Sequence, residues 1–286
     1  MVRSHTGLRI AGGKADGWQV ISRYFPLKRK GMVFVDLFAG SGIVSLSYHA
    51  HSCLMNDIDE NIYSYFYVLG GAKFKDLIER YPDSERVGEW QYRAEIFDSF
   101  ETEIESCACG PHWWDDYKGR DDLIGRAIQC LLMSSANFNG NYKAGDFLLG
   151  TPQRVRFAYY QEMVEYVREG DIRIWNLDFR EVLRRAARWH PNLGYDYFLY
   201  ADPPYLHQGV NLYRHSFLEQ DTRDLRAGLD NLDFKWIVSE MDSPEIRDIF
   251  DGCYFEEVKW IDQDEVLISN LPLNEKRRGG ANQFEW

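Results

Sequence analysis

The four residues with the most chemical content are Asp202-Pro203-Pro204-Tyr205, which follow the apolar run Tyr197–Ala201. Proline fixes φ and offers no N–H, so two in succession end a strand and hold its last carbonyls at set angles. An exocyclic amine on a flat ring presents two N–H donors. The Asp202 carboxylate and the Pro203 carbonyl can accept them, and Tyr205 supplies a ring face for stacking. Acceptance of both protons aims the nitrogen lone pair at a neighbouring methyl sulfonium. That sulfonium is a good leaving group, so in-line positioning and electrostatics suffice, without a metal or a covalent nucleophile. A plain Pro-Pro loop with an Asp cap is the bland alternative, and the coincidence of strand, acid, prolines and aromatic weighs against it.

A second cluster, Asp36-Leu37-Phe38-Ala39-Gly40-Ser41-Gly42, joins an apolar run to an amphipathic one. Glycines there let the chain turn tightly and let a ligand approach the backbone at a helix start. The full G-x-G-x-x-G spacing is absent, which makes a nicotinamide dinucleotide the weaker interpretation. Asp57 lies about 20 residues further on, the offset of an acid that accepts both hydroxyls of an adenosine ribose. Alone it would read as a solvated charge; coupled to the glycine turn it reads as a ligand group.

The elements that must position these residues are legible. Val33–Phe38 reads as a strand, Ile43–His49 as a helix and Ser52–Asn56 as a second strand, with Asp59 capping a helix from Glu60 to Leu69. This is a β-α-β-α opening, the start of a parallel sheet wound with helices. Residues 70–169 alternate helical segments with Gly, Asn and Trp and signal no strong strand. The strand rhythm then returns: strand Ile172–Trp175, helix Phe179–Ala187, strand Tyr197–Ala201, helix Thr222–Leu232, strand Trp236–Glu240 and helix Pro244–Phe250. Phe255–Ile261 and Glu265–Asn270 read as a closing antiparallel pair. One α/β domain, 1–69 with 170–286, interrupted by an insertion over 70–169, is the economical organisation.

The 286 residues are 45% hydrophobic and 27% charged, an ordinary soluble composition, with no apolar run able to span a bilayer and no signal-peptide core. Five cysteines, an odd number, argue for reduced thiols and a cytoplasmic setting. Cys107 and Cys109 lie beside His112, but the spacing is wrong for a zinc knuckle and no second pair follows, so no metal is expected. A formal charge of −12 runs against the basic footprint of a nucleic-acid binder and leaves only room for a local basic groove. Arginine outnumbers lysine, which suits phosphate forks. Tyr213, Arg214, His215 and Phe217, the pair Trp113-Trp114, and Lys276-Arg277-Arg278 could each touch a base or phosphate; core packing or solvation is an equal or better account of each.

Taken in order, these segments resemble the Dam-like (D12 class) DNA adenine-N6 methyltransferases over nearly the whole length. They are Ala11-Gly12-Gly13-Lys14, Phe34 to Gly42, Asn56-Asp57, Phe138-Asn139-Gly140, Asn176-Leu177-Asp178-Phe179, Asp202-Pro203-Pro204-Tyr205 and Glu265 to Asn270. The resemblance implies a Rossmann-like class I methyltransferase sheet with an inserted, mainly helical DNA-recognition domain. It implies S-adenosylmethionine held by Ile10, Gly13, Lys14, Asp36, Phe38, Ala39, Gly40, Ser41, Gly42 and Asp202, with Asp57 on the ribose and Asp178 and Phe179 at the adenine. Asp202, Pro203, Pro204 and Tyr205 would hold a target adenine flipped out of double-stranded DNA. Phe138 would wedge into the base stack, with Asn139, Gly140, Asn141 and Lys143 near phosphates or base edges. Two departures stand out: Ile10 replaces an aromatic common in relatives, and Phe138–Phe147 is short and lacks the arginines of GATC-methylating members. No recognition sequence is therefore implied. A monomer is expected, and a cognate restriction endonuclease is compatible with the family. Cytosine N4, an RNA base, or an inactive DNA-binding relative remain as alternatives.

Overall fold

A computed structural model describes residues 8, 13–107, 117, 119–136, 161–189, 196–206, 217–260 and 263–273. The strands are β1 (Met32–Asp36), β2 (Ser52–Asn56), β3 (Asp171–Trp175), β4 (Asp196–Ala201), β5 (Lys235–Met241), β6 (Tyr254–Trp260) and β7 (Gln263–Ser269). The helices are α1 (Trp18–Ile21), α2 (Ile43–Tyr48), α3 (Glu60–Leu69), α4 (Ala72–Arg80), α5 (Val87–Cys107), α6 (Leu123–Ala136), α7 (Gln161–Glu169), α8 (Phe179–Ala186), α9 (Glu219–Leu229) and α10 (Pro244–Ile249). The seven strands form one sheet in the order β3-β2-β1-β4-β5-β7-β6, with β1 to β5 parallel and β7 antiparallel to both neighbours. This is the expected Rossmann-like class I sheet.

Alternation along the strands divides the core into two faces. Phe34, Cys53, Met55, Phe198, Tyr200, Ile237 and Leu267 point to one side, where α2, α3, α5, α6 and α7 cover them. Val35, Leu37, Leu54, Leu199, Ala201, Trp236, Val238 and Ile268 point to the other, beneath α8, α9 and α10. The strands β1, β4 and β5 are buried on both faces, which is why they read as unbroken apolar runs. Within 70–169 the described elements are helices, and Phe97, Phe100, Ile128 and Leu131 join the same core as the sheet. Among the described residues no helix is long and apolar enough to cross a membrane.

Element boundaries differ from the sequence reading where side chains bond backbone. Helix α9 starts at Glu219 rather than Thr222, because the Asp221 carboxylate accepts the Leu218 N–H at 2.6 Å and closes an earlier first turn. Asn270 lies beyond the ladder: its side chain accepts the Trp236 N–H and donates to Phe234 O, bonding the start of β5. Asp59 caps α3 as expected, accepting the Asn61 N–H at 2.8 Å.

Order along the sheet reverses between β1 and β4. From β1 the chain leaves toward β2 across one face, and from β4 toward β5 across the other, so their carboxyl ends flank a crevice. The turn after β1 enters α2 through Gly42, at φ +72°, where a Cβ would fall 2.7 Å from Phe66 and 2.9 Å from Met163. Gly42→Ala therefore combines a left-handed strain with a clash against α3 and α7. It should destabilise the fold by roughly 1–3 kcal/mol, measurable by chemical denaturation, and an unchanged midpoint would contradict the packing described.

Candidate functional site

The carboxyl ends of β1, β2, β3, β4 and β5 share one edge of the sheet, and antiparallel β7 begins there, since Met241 pairs with Glu265. That shared edge collects Asp36, Asp57, Asp178, Asp202, Glu240 and Glu265 from six strands or their exits. Two asparagines lock the edge together. Asn56 donates to the carbonyls of Leu37 and Leu177 and accepts the Leu177 N–H, tying the exits of β1 and β3 through β2. Asn176 donates to the carbonyls of Asp57 and Ile58. Sequence reasoning noted both only as parts of matching segments. Their signal was an amide at a strand end, where unpaired backbone groups need partners.

Asp57 closes the turn after β1. One carboxylate oxygen accepts the Gly40 N–H at 2.9 Å and the other the Asp59 N–H at 2.9 Å. Burial pushes its carboxyl up to about 7, against these two hydrogen bonds. Asp36 faces inward, contrary to its expected place as a ligand-contacting group: at 1% exposure it accepts the Ser45 hydroxyl at 2.6 Å. Burial raises it to about 7, the Ser45 bond lowers it, and the charges of Asp202 and Asp57 raise it further. What Asp36 offers the site is charge from beneath. Gly40 has φ +49°, and among the described residues a Cβ there would meet only Phe38 O, at 3.9 Å, which leaves that side of the turn open to them.

At the exit of β4, Asp202 is 18% exposed and its Oδ1 lies 2.8 Å from the Lys14 Nζ. Lys14, which the resemblance assigns to the cofactor, thus has its ammonium on the acceptor acid, 3.8 Å from Glu265 and 4.9 Å from the Tyr205 ring centroid. Burial raises the Asp202 carboxyl, and the Lys14 charge and hydrogen bond oppose that rise. Tyr205 is buried, with its hydroxyl 3.5 Å from the Ser239 hydroxyl, which donates to Glu265 at 2.8 Å. With Lys14 over its ring, Tyr205 is a packed wall of the site and not the open stacking platform expected from sequence. Glu240 and Glu265, given no role by the sequence reading, complete this buried set; nothing in a lone strand-end glutamate distinguishes it from a solvated charge.

Toward β3, Asp178 caps α8 by accepting the Arg180 N–H at 2.8 Å, and the Arg180 guanidinium bridges Asp178 to Asp221 and Asp224 on α9. Phe179 packs on Phe38 and Phe217, with ring centroids 5.5 and 5.6 Å away, forming an apolar wall beside the glycine turn. Gly13, Ala39 and Ser41 lie on the segments that carry Lys14 and Gly40. Ile10, Phe138, Asn139, Gly140, Asn141 and Lys143 lie outside the described residues, as do Trp113, Trp114, Cys109, His112, Tyr213, Arg214, His215 and Lys276 to Arg278. Among the described residues no group of His, Cys, Asp and Glu could hold a metal. Several arginines are bound to carboxylates, among them Arg120, Arg168, Arg184 and Arg247.

Because Asp36 and Asp57 have folded values near 7 against an ordinary 3.8, the folded chain holds protons in that window that the unfolded chain has released. Their contribution to stability is complete below about pH 4 and is lost as pH rises through 7. Melting temperature should thus fall between pH 5 and 8 more steeply in the native chain than in Asp36→Asn or Asp57→Asn. Parallel melting curves across that range would count against the buried charges.

The model of one protein family matches residues 11–266, and it describes D12 class N6 adenine-specific DNA methyltransferases. No curated protein matches the chain in sequence. Among solved structures, the chain is similar to the rRNA methyltransferase aviRa from Streptomyces viridochromogenes, at 12% identity and TM-score 0.42, covering 91% of this chain and 86% of that one. A conserved hypothetical protein of Streptococcus pyogenes is similar at 10% identity and TM-score 0.34, covering 90% and 94%. The ordered segments, the sheet and the match over nearly the whole length agree: the chain is an S-adenosylmethionine-dependent methyltransferase and belongs to the D12 class N6 adenine-specific DNA methyltransferase family.

Proposed function

We propose that the enzyme methylates the N6 amine of adenine in double-stranded DNA, at a specific short sequence, with the target base turned out of the duplex. The observation that carries this reading is Asp202. It is a partly exposed carboxylate at the point where strand order reverses, held by Lys14 and adjoining the glycine turn on the neighbouring strand. The family description supports adenine and DNA.

The residues fit the methyl donor. Asp36 lies close enough to Asp57 and Asp202 for their charges to raise its carboxyl, and a cationic sulfonium bound beside these acids would favour their ionised forms. The open side of Gly40 admits a ligand against the backbone. Gly13, Phe38, Ala39, Gly40, Ser41 and Gly42 would line the cofactor, Asp57 would accept its ribose hydroxyls with its remaining lone pairs, and Asp178 with Phe179 would border its adenine. When bound, S-adenosylmethionine supplies an electrophilic methyl group.

Everything else falls to this chain. Asp202 and the Pro203 carbonyl accept the two N–H groups of the target amine and orient its lone pair. Once nitrogen has gained a methyl group it must lose a proton, and Asp202 is the base within reach, its basicity raised by burial and tempered by Lys14. Pro203 and Pro204 hold the loop stiff, and Tyr205 backs it from within. Residues 1–69 and 170–286 would form this catalytic part and 70–169 the target-recognition part, with Phe138, Asn139, Gly140, Asn141 and Lys143 on the duplex.

Asp202→Ala should lower labelled-methyl transfer to DNA by at least ~10³-fold with little change in melting temperature, in keeping with loss of a transition-state acceptor. Full retained activity would sink the mechanism. Mass spectrometry of nucleosides from treated DNA and RNA should find N6-methyladenine in DNA; N4-methylcytosine, or product in RNA alone, would replace the substrate. Lys14→Met should move the acid limb of the kcat–pH profile to higher pH, because Asp202 loses the charge that opposes its rise, and Lys14→Arg should restore it. A uniform loss at every pH would assign Lys14 elsewhere.

A further inference from the structure

Glu240 is the next-to-last residue of β5 and is 1% exposed. Its Oε1 accepts the Leu206 N–H at 2.8 Å, while its Oε2 is buried without a hydrogen-bond partner among the described residues. Leu206 is the residue directly after Asp202-Pro203-Pro204-Tyr205. Pro203 and Pro204 have no N–H to give, so neither can donate a backbone hydrogen bond to the sheet. The Leu206 bond closes the loop onto β5 from the far side, as Lys14 holds its first residue, Asp202. A buried acid with one oxygen unmatched costs stability. Leucine or methionine would fill that position without such a cost.

We propose that Glu240 is a positioning residue: through the Leu206 N–H it sets the path of residues 202–206 and so the aim of Asp202 at the target amine. The inference deepens the proposed reading and, for its kinetic half, rests on it. The groups that face Glu240 are Asp202 beyond β4, Lys14 from the N-terminal segment and Glu265 on β7. Burial is the largest influence and lifts its carboxyl to about 8, with the charges of Asp202 and Glu265 adding to it and Lys14 and the Leu206 bond opposing. Near pH 7 the group is mostly the neutral acid, whose carbonyl oxygen still accepts the Leu206 N–H. A glutamine would reproduce that acceptor, and an alanine would remove it.

The test compares Glu240→Ala and Glu240→Gln by hydrogen exchange at the Leu206 amide, by calorimetry with S-adenosylmethionine, and by kcat on DNA. In Glu240→Ala the Leu206 amide should lose protection and kcat should fall roughly 10- to 100-fold, the scale of a small misplacement, while cofactor affinity stays within about threefold. Glu240→Gln should keep the protection and most of the activity. It should also melt higher than the native chain at pH 8, where the native acid begins to ionise in a buried site. Leu206 protection unchanged in Glu240→Ala, or kcat unchanged, would overturn the proposal. So would an equal loss in both variants. Should Glu240→Ala not fold, the glutamine variant decides, since loss of Leu206 protection there contradicts the assignment. A native enzyme inert on DNA would fail the functional reading, while the exchange data would still judge the loop.

Discussion

The contact between the Lys14 ammonium and the Asp202 carboxylate, 2.8 Å long and nearly out of solvent, is the interaction on which the site depends. Asp202 lies near Asp36, Glu240 and Glu265, and burial pushes its carboxyl toward the protonated form. Burial acts on all of these acids in the same direction. Lys14 is drawn from a segment outside the sheet and offsets that push at Asp202, the residue proposed to meet the target. Such a buried pair adds little net stability, because both groups lose water. Its value is in holding a charge state and an orientation.

The same logic explains the acidic composition. Charge at the catalytic edge is concentrated for a cationic cofactor, and elsewhere the carboxylates are spent on arginines, as in the Arg180 bridge from α8 to α9.

Rigid backing is the second requirement. Asn56 and Asn176 fix the strand exits, Asp57 bonds the glycine turn, and Gly42 lets α2 approach α3 and α7 closely. These contacts fix the strand exits and the turn at the carboxyl edge of the sheet. Displacements of an ångström in such a site change rates by large factors, so the packing beneath the loops is part of the chemistry.

Read from the sequence alone, the apolar runs, the Gly40–Gly42 turn, the Asp59 cap and Asp202-Pro203-Pro204-Tyr205 determined a wound parallel sheet with an acid and a stiff proline loop at a strand end. These are local signals: periodicity, φ restriction and capping act within a few residues. Only the tertiary structure decided that Lys14 reaches Asp202, that Asp36 turns inward to Ser45, that Tyr205 is packed instead of open, and that Glu240 and Glu265 lie beneath the loop. Each of those facts joins residues far apart in the chain. A side chain's burial and charge partners are set by what the sheet order brings beside it, and no local pattern encodes that.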